Sequence, residues 1–180
     1  MKAVIAGCGA VGRNLAEMLV REGNNVTVID TDRGKLDSVE EYLDVAAVEG
    51  QCTDLKALRS AGVHGCDIFV AATDDDEANI VAAVAAKRLG AGKCAARCRN
   101  QIYSSTLDGK GYSDLIDIDL VVNPENLTAL EIVKLIKTPG SLVIENMAKG
   151  KVHLREIVVG RQSKAIGKTL KSLSLGQIGL

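Results

Sequence analysis

The stretch Lys2-Ala3-Val4-Ile5-Ala6-Gly7-Cys8-Gly9-Ala10-Val11-Gly12 decides the fold. Five residues suited to a buried strand run directly into three glycines spaced Gly-x-Gly-x-x-Gly. A helical pattern follows, Ala10–Glu22, with Val11, Leu15, Met18 and Leu19 on one predicted face. In a strand–turn–helix of this kind the first glycine makes the tight turn. The second lets a pyrophosphate approach the backbone, and the third lets the helix pack closely on the strand. The helix N-terminus then faces the phosphates with its unpaired amides. A hexapeptide alone is weak evidence, and glycines serving only turn and packing remain the alternative. Its context strengthens it, because Asp30 closes the next apolar run, Val26–Asp30, near the expected offset of about 20 residues.

Outward from this unit the chain repeats the same alternation. Helical stretches are predicted at Arg33–Tyr42, Leu55–Ala61, Asp75–Leu89 and Glu125–Ile136, the last with Pro124 in its first turn. Apolar runs at Val45–Val48, Ile68–Ala72, Lys93–Cys98 and Asp119–Val122 supply further strands, and a helical or loop stretch runs to about Leu107. Continuous apolar strands separated by helices imply a parallel sheet covered on both faces. The expected fold is therefore α/β, a Rossmann-like doubly wound parallel sheet, over residues 1–137. After Thr138-Pro139-Gly140 the pattern changes. Leu142–Met147 and Lys151–Val159 read as two strands, and 138–180 reads as a linker and the start of a small C-terminal α+β module left incomplete at Leu180.

Composition removes several classes of function. The 180 residues carry 22 basic and 23 acidic side chains, a net charge of −1, against the basic patch expected of a nucleic-acid binder. Four aromatic residues, Tyr42, Phe69, Tyr103 and Tyr112, give no ladder for stacking bases. No apolar run approaches the ~20 residues that span a bilayer. Ile5-Ala6-Gly7-Cys8 resembles a lipoprotein cleavage box, but the apolar core before it is far shorter than the ~7–15 residues a signal peptide needs. The five cysteines lack a Cys-x-x-Cys pair, and the two histidines, His64 and His153, stand outside zinc-ligand spacing. Buried reduced thiols are the simplest reading.

Chemistry concentrates at the predicted carboxyl ends of the strands, where ligands bind in open α/β sheets. Asp30, with Thr31 beside it, can accept both hydroxyls of an adenosine ribose and would repel a 2′-phosphate, favouring NAD(H) or another adenine nucleotide over NADP. A surface or capping role for Asp30 is the alternative, and Arg33 could soften the repulsion. Cys8 either fills the turn or, at a helix N-terminus, acts as a low-pKa redox thiol. Arg13 either reaches a phosphate or pairs on the surface. Glu49-Gly-Gln-Cys52-Thr53-Asp54 follows the third strand, with Thr53 or Asp54 as a helix cap. Thr73-Asp74-Asp75-Asp76-Glu77 follows the fourth, its acids either complementing the helix dipole or holding a divalent cation. Alternation sends Arg97 and Arg99 to one side of the fifth strand, so one of them could meet a phosphate. His64 and His153 read as structural or exposed. No catalytic triad, phosphate-transferring lysine motif or metal triad is visible. What remains is a nucleotide site without a reaction centre.

Taken together, Gly7-x-Gly9-x-x-Gly12, Val28-Ile29-Asp30, Glu49-Gly50, Asp67–Thr73 with Glu77-Ala-Asn79, Ala96-Arg97-Cys-Arg99 and Asp119–Glu125 resemble the Trk-type potassium-uptake regulatory family (TrkA) and its RCK/KTN domains. The resemblance runs over residues 1–137 and on into Thr138-Pro-Gly-Ser and Met147–Leu154. It implies a non-enzymatic cytoplasmic subunit that binds NAD(H), ATP or ADP and gates a membrane-embedded potassium transporter or channel from the inner face of the plasma membrane. It further implies homodimers, and rings built from them. Residue by residue, Gly7, Cys8, Gly9, Ala10 and Val11 would wrap the pyrophosphate and Asp30 the ribose, with Gly12 and Thr31 also in the cofactor-binding set. Cys52, Thr53, Thr73 and Asp74 would border the cleft, and Arg97 would approach the phosphates. Arg99 would relay the nucleotide state to a neighbouring subunit. Leu127, Leu130, Ile132, Val133 and Ile136 could serve subunit pairing or be buried within one subunit. ATP-preferring relatives carry a basic residue where this chain has Ala10, which tilts the expectation toward NAD(H). The competing reading is an NAD-dependent oxidoreductase, or a cofactor-binding fragment of one.

Overall fold

The computed structural model describes residues 1–104, 106–107, 110–137, 141–147, 152–157, 159–160, 163 and 165–173. Two compact units divide the chain, Met1–Leu127 and Thr128–Leu180. In the first, strands and helices alternate as β1 Lys2–Ala6, α1 Ala10–Arg21, β2 Asn25–Asp30, α2 Arg33–Glu40, β3 Val45–Glu49, α3 Leu55–Ser60, β4 Ile68–Ala71, α4 Asp76–Arg88 and β5 Lys93–Arg97. Then come a 3₁₀ turn (Gln101–Ser104), a pair of two-residue strands, β6 Thr106–Leu107 and β7 Lys110–Gly111, helix α5 Tyr112–Ile116 and strand β8 Leu120–Val122; helix α6 Pro124–Lys137 begins in this unit and has most of its residues in the second. The hairpin and α5 lie where the sequence shows no hydrophobic period.

Six strands form one all-parallel sheet in the order β3-β2-β1-β4-β5-β8. The order in which the chain adds strands reverses between β1 and β4, and that switch point opens a crevice above their carboxyl ends. The fold is the Rossmann-like doubly wound sheet expected from the alternation.

Pleating divides the core. Ala3 and Ile5 of β1 join Val26 and Val28 of β2 in a cluster with Leu36, Val39 and Ala16 on one face. Val4 and Ala6 point the other way, into a cluster with Ile29, Leu58, Phe69, Ala82 and Ala86. Small residues on α4 let it lie close to the sheet: Ala82, Ala83 and Ala86 are fully buried.

The buried stripe of α1 differs from the predicted one. Gly12 and Ala16 are buried, and Leu15 and Leu19 pack against the core, while Val11 and Met18 are exposed. Both stripes have helical spacing, and a backbone contact chooses between them. A Cβ on Gly12 would lie 1.8 Å from the Gly7 carbonyl oxygen, so only a glycine can face the loop there.

In the second unit, β9 Ser141–Met147 and β10 Val152–Ile157 pair antiparallel, with Val152 opposite Met147. A further 3₁₀ turn spans Leu170–Leu173. The expected joints at Thr138–Gly140 and Ala148–Gly150 and the last residues to Leu180 lie outside the described residues. Leu127, Leu130, Ile132, Val133, Leu135 and Ile136 of α6 are all exposed. Among the described residues no helix is long and apolar enough to cross a membrane.

Candidate functional site

Three glycines of the first loop meet three different needs. Gly7 adopts φ +101°, and a Cβ there would come within 2.8 Å of the Ala72 carbonyl carbon and the Thr73 nitrogen. Its amide donates to the Ile29 carbonyl at 2.7 Å, which ties the loop to β2. Gly12 meets the Gly7 carbonyl, as above. Gly9 has no neighbour within 4 Å of its missing Cβ. The space beside Gly9 is thus left open by the fold itself, as the close approach of a phosphate to backbone requires.

Helix N-termini set this loop apart from its neighbours. Asp32, Asp54 and Asp75 cap α2, α3 and α4, each accepting a backbone amide of its own helix. Helix α1 begins at Gly9 with no side-chain cap and no acid in its first turn. Its first amides therefore keep their partial positive charge for an acceptor from outside the chain.

These elements converge on a crevice of about 300 Å³. Its wall is formed by Gly7 and Gly9, by Ile29, Asp30, Thr31 and Lys35, by Gly50, Gln51 and Cys52, and by Ala72, Thr73, Asp74, Asp75 and Ala78. Of the residues singled out in the sequence, Gly7, Gly9, Asp30, Thr31, Cys52, Thr73 and Asp74 line it together. Cys8, Ala10, Val11, Gly12, Thr53 and Arg97 are not among the lining residues.

Asp30 is held firmly. Its Oδ2 accepts the Cys8 amide at 2.6 Å and its Oδ1 accepts the Asp32 amide at 2.9 Å. The carboxylate thus sits between the glycine loop and the start of α2, with its remaining lone pairs available to hydroxyl donors. Cys8 is buried beside it, and its thiol approaches the Lys35 carbonyl at 3.8 Å. Burial pushes that thiol above its ordinary pKa, and Asp30 adds to the shift, while Arg13 and Lys35 oppose it. Cys8 fills the turn as a protonated thiol. All five cysteines are free, and burial pushes Cys94 and Cys98 up to about 11.

The opposite lip is built on Asn79, which is fully buried. Its Oδ1 accepts the Thr73 amide at 2.9 Å and the Thr73 hydroxyl at 2.6 Å. Its Nδ2 donates to the Thr73 carbonyl at 3.0 Å and the Arg97 carbonyl at 2.9 Å. One amide side chain therefore satisfies the ends of both β4 and β5. Sequence reading missed this role, although a polar side chain four residues after the cap Asp75, on an otherwise apolar helix face, was the available signal.

Both arginines of β5 and the segment after it turn to this lip. Arg97, its side chain 14% exposed, donates to the Thr73 carbonyl at 3.1 Å and lies 3.5 Å from Asp74 and 4.0 Å from Glu125. Its Nε is buried with no partner among the described residues. Arg99 donates to the Asp74 carbonyl. Alternation placed the two arginines on one side, as found; each donates to a backbone carbonyl, and Arg97 also lies beside the carboxylates of Asp74 and Glu125. Asp76 accepts the Arg99 and Asn100 amides at 3.0 and 2.8 Å, and Asp75 accepts the Ala78 amide at 2.8 Å. The acids of this loop are thus used as caps and ties. Among the described residues no cluster of three His, Cys, Asp or Glu is poised for a metal. Asn123 continues the ties, donating to the Arg99 carbonyl and accepting the Asn126 amide in the first turn of α6.

Outside the crevice, Arg33 is bound at 2.7 Å to both Asp37 and Glu40. His64 Nδ1 donates to the Leu89 carbonyl at 2.9 Å in a turn. His153 falls where only the backbone is described.

Comparison with known proteins adds independent findings. Residues 3–124 match the family described as the TrkA-N domain. The chain is 36% identical over 177 residues to the Trk system potassium uptake protein TrkA homolog of Archaeoglobus fulgidus, covering 98% of this chain and 40% of that protein. It is 37% identical to the Trk system potassium uptake protein TrkA of Haemophilus influenzae, covering 86% of this chain and 34% of that one. Thus the chain spans well under half the length of these two relatives. It spans 77% of the Methanothermobacter thermautotrophicus TrkA homolog, at 31% identity over 97% of this chain. The fold resembles the TrkA-N domain of the inner membrane protein ybaL from Escherichia coli, with TM-score 0.65, 21% identity, 75% of this chain and 96% of that one. It also resembles the GsuK channel bound to NAD (TM-score 0.56, 18% identity, 67% of this chain, 21% of that one). GsuK bound to ADP gives TM-score 0.59 and 23% identity over 76% of this chain and 34% of that one.

Proposed function

The chain belongs to the TrkA-N domain family, and from that premise we propose that it is the nucleotide-sensing part of a regulator of membrane potassium uptake. One observation carries the reading: the only uncapped N-terminus among α1–α4 opens beside Gly9, into the same crevice as a doubly anchored Asp30. That arrangement suits a dinucleotide or adenine nucleotide. The α1 amides and the glycine loop would take the phosphates, and Asp30 the ribose hydroxyls. Thr31 and Cys52 would border the adenosine side, Thr73 and Asp74 the far lip. NAD(H) is the ligand this set fits best, with ATP or ADP as competitors for the same phosphate cradle. The names of the neighbours support the class, since one is described with NAD and another with ADP.

The ligand would act as a signal. It can shift a conformational equilibrium only by as much as it prefers one form of the crevice over another. The partner is a membrane-embedded potassium transporter or channel subunit, and the chain works at the cytoplasmic side of that partner. A homodimer, and rings of dimers, would give the exposed apolar residues of α6 a cover. Calorimetric titration with NADH, NAD, ATP, ADP and NADPH tests the reading. Asp30→Ala should weaken NADH binding by more than about tenfold, a loss of ~1.4 kcal/mol or more. An affinity equal to that of the unaltered chain would defeat the proposed site.

A further inference from the structure

The adenosine end of the crevice holds a cation that the pattern of motifs does not single out. Lys35, in the first turn of α2, lines the crevice together with Asp30 and Thr31. Its neighbour Arg33, the cation closest in sequence to Asp30, is committed elsewhere, bound to Asp37 and Glu40 and absent from the lining. Among the described residues the Lys35 ammonium has no ion-pair partner, although its own main chain is well fixed. The Lys35 amide donates to the Asp32 carbonyl at 3.1 Å, and the Lys35 carbonyl faces the Cys8 thiol at 3.8 Å. The residue is therefore anchored by its main chain to both the glycine loop and the α2 cap, and it contributes to the wall of the crevice.

Asp30 alone would exclude a phosphate on the ribose it contacts, because like charges at close range repel. Its charge is not bare, however. Two backbone amides, from Cys8 and Asp32, already donate to its two oxygens. Lys35, which lines the same wall and has no ion-pair partner among the described residues, brings a full positive charge. We propose that Lys35 is a specificity-determining residue: it supplies the counter-charge for a phosphate on the 2′ position of the adenosine ribose, so that the crevice accepts NADP(H)-type dinucleotides alongside NAD(H). This rests on the nucleotide reading of the crevice given above. A lysine suits the task, being a compact point charge on a flexible stem that can swing to a phosphate or leave an unphosphorylated ribose alone.

The test compares NADH and NADPH by calorimetry on the unaltered chain, Lys35→Met and Lys35→Arg. Lys35 is exposed, and a folding check by circular dichroism accompanies each variant. In the unaltered chain NADPH should bind within about tenfold of NADH. Lys35→Met should widen that ratio by at least about tenfold, the loss of NADPH affinity exceeding any loss of NADH affinity by that factor, and Lys35→Arg should restore it. A ratio above tenfold in the unaltered chain, or an equal loss of both ligands in Lys35→Met, overturns the proposal and leaves the NAD(H) site standing. Failure of both ligands to bind the folded unaltered chain overturns the nucleotide reading, and this proposal with it.

Discussion

The two walls of the crevice are made of similar residues used in opposite ways. On the near wall, formed by the glycine loop, the end of β2 and the start of α2, groups are left open. Helix α1 has no cap, Gly9 has empty space beside it, and Lys35 has no ion-pair partner among the described residues. On the far wall, formed by the ends of β4 and β5 and the start of α4, charged and polar groups bind one another. Asn79 makes four hydrogen bonds, Asp75 and Asp76 accept backbone amides, and Arg97 and Arg99 donate to carbonyls of Thr73 and Asp74. A buried polar group satisfied within the chain costs little and holds structure, whereas an open donor is available to a ligand. On the proposed nucleotide reading, the near wall is the binding surface and the far wall its rigid frame.

Two glycines in one motif give the sharpest way to break this contrast. Gly12→Ala places a methyl group 1.8 Å from a backbone oxygen, so loop and helix must separate. We expect a loss of about 3 kcal/mol or more in urea unfolding, at or beyond the upper end for overpacking. Gly9→Ala meets no atom, and Gly9 already has the ordinary extended conformation at φ −74°. It should change stability by less than about 1 kcal/mol. NADH affinity should nevertheless fall more than about tenfold, since the methyl fills the space left for a phosphate. Equal stability losses in the two variants would show that the open space beside Gly9 carries no meaning.

Next in size is the frame itself. Asn79→Ala removes a fully buried side chain that partners the Thr73 amide and the Arg97 carbonyl, and it leaves the Thr73 carbonyl with the Arg97 guanidinium alone. Unsatisfied buried groups cost about 1–3 kcal/mol each, partly recovered by entering water, so a net loss of about 2–3 kcal/mol is expected. Faster amide exchange at Thr73 should accompany it. A loss below about 0.5 kcal/mol with unchanged exchange would mean that the lip is held by strand pairing alone.

Much of this architecture is legible in the sequence because it follows from periodicity. The strand β1 spans the predicted Lys2–Ala6, and the other sheet strands start and end within a residue or two of their apolar runs. The β6–β7 hairpin and α5 were not legible, because pieces of two to five residues carry no period to read. At the site, residues fixed by backbone, such as Gly7, Gly9 and Asp30, could be placed from spacing. Lys35 could not, since it lines the crevice from a helix whose rotation the sequence leaves open. The same ambiguity put Val11 and Met18 on the wrong side of α1. Arg97 illustrates a third case: alternation gives its face, but whether a cation on that face meets a ligand or a carbonyl depends on neighbours from β4 and α6.

Arg97 also supplies the finest test of the comparison. If the far wall is frame, its guanidinium acts through the Thr73 carbonyl and the nearby carboxylates of Asp74 and Glu125, without touching phosphate. Arg97→Met keeps most of the side-chain length and packing while removing the charge. The expected outcome is a change in NADH affinity of less than about threefold, set against the more than tenfold loss in Asp30→Ala. Salt offers a second reading of the same variant. A guanidinium in contact with phosphate would make binding fall with ionic strength, and its removal would flatten that dependence. With Arg97 turned to the Thr73 carbonyl, the salt dependence should be the same in Arg97→Met as in the unaltered chain. A tenfold loss together with a flattened salt dependence would move Arg97 from the frame to the binding surface.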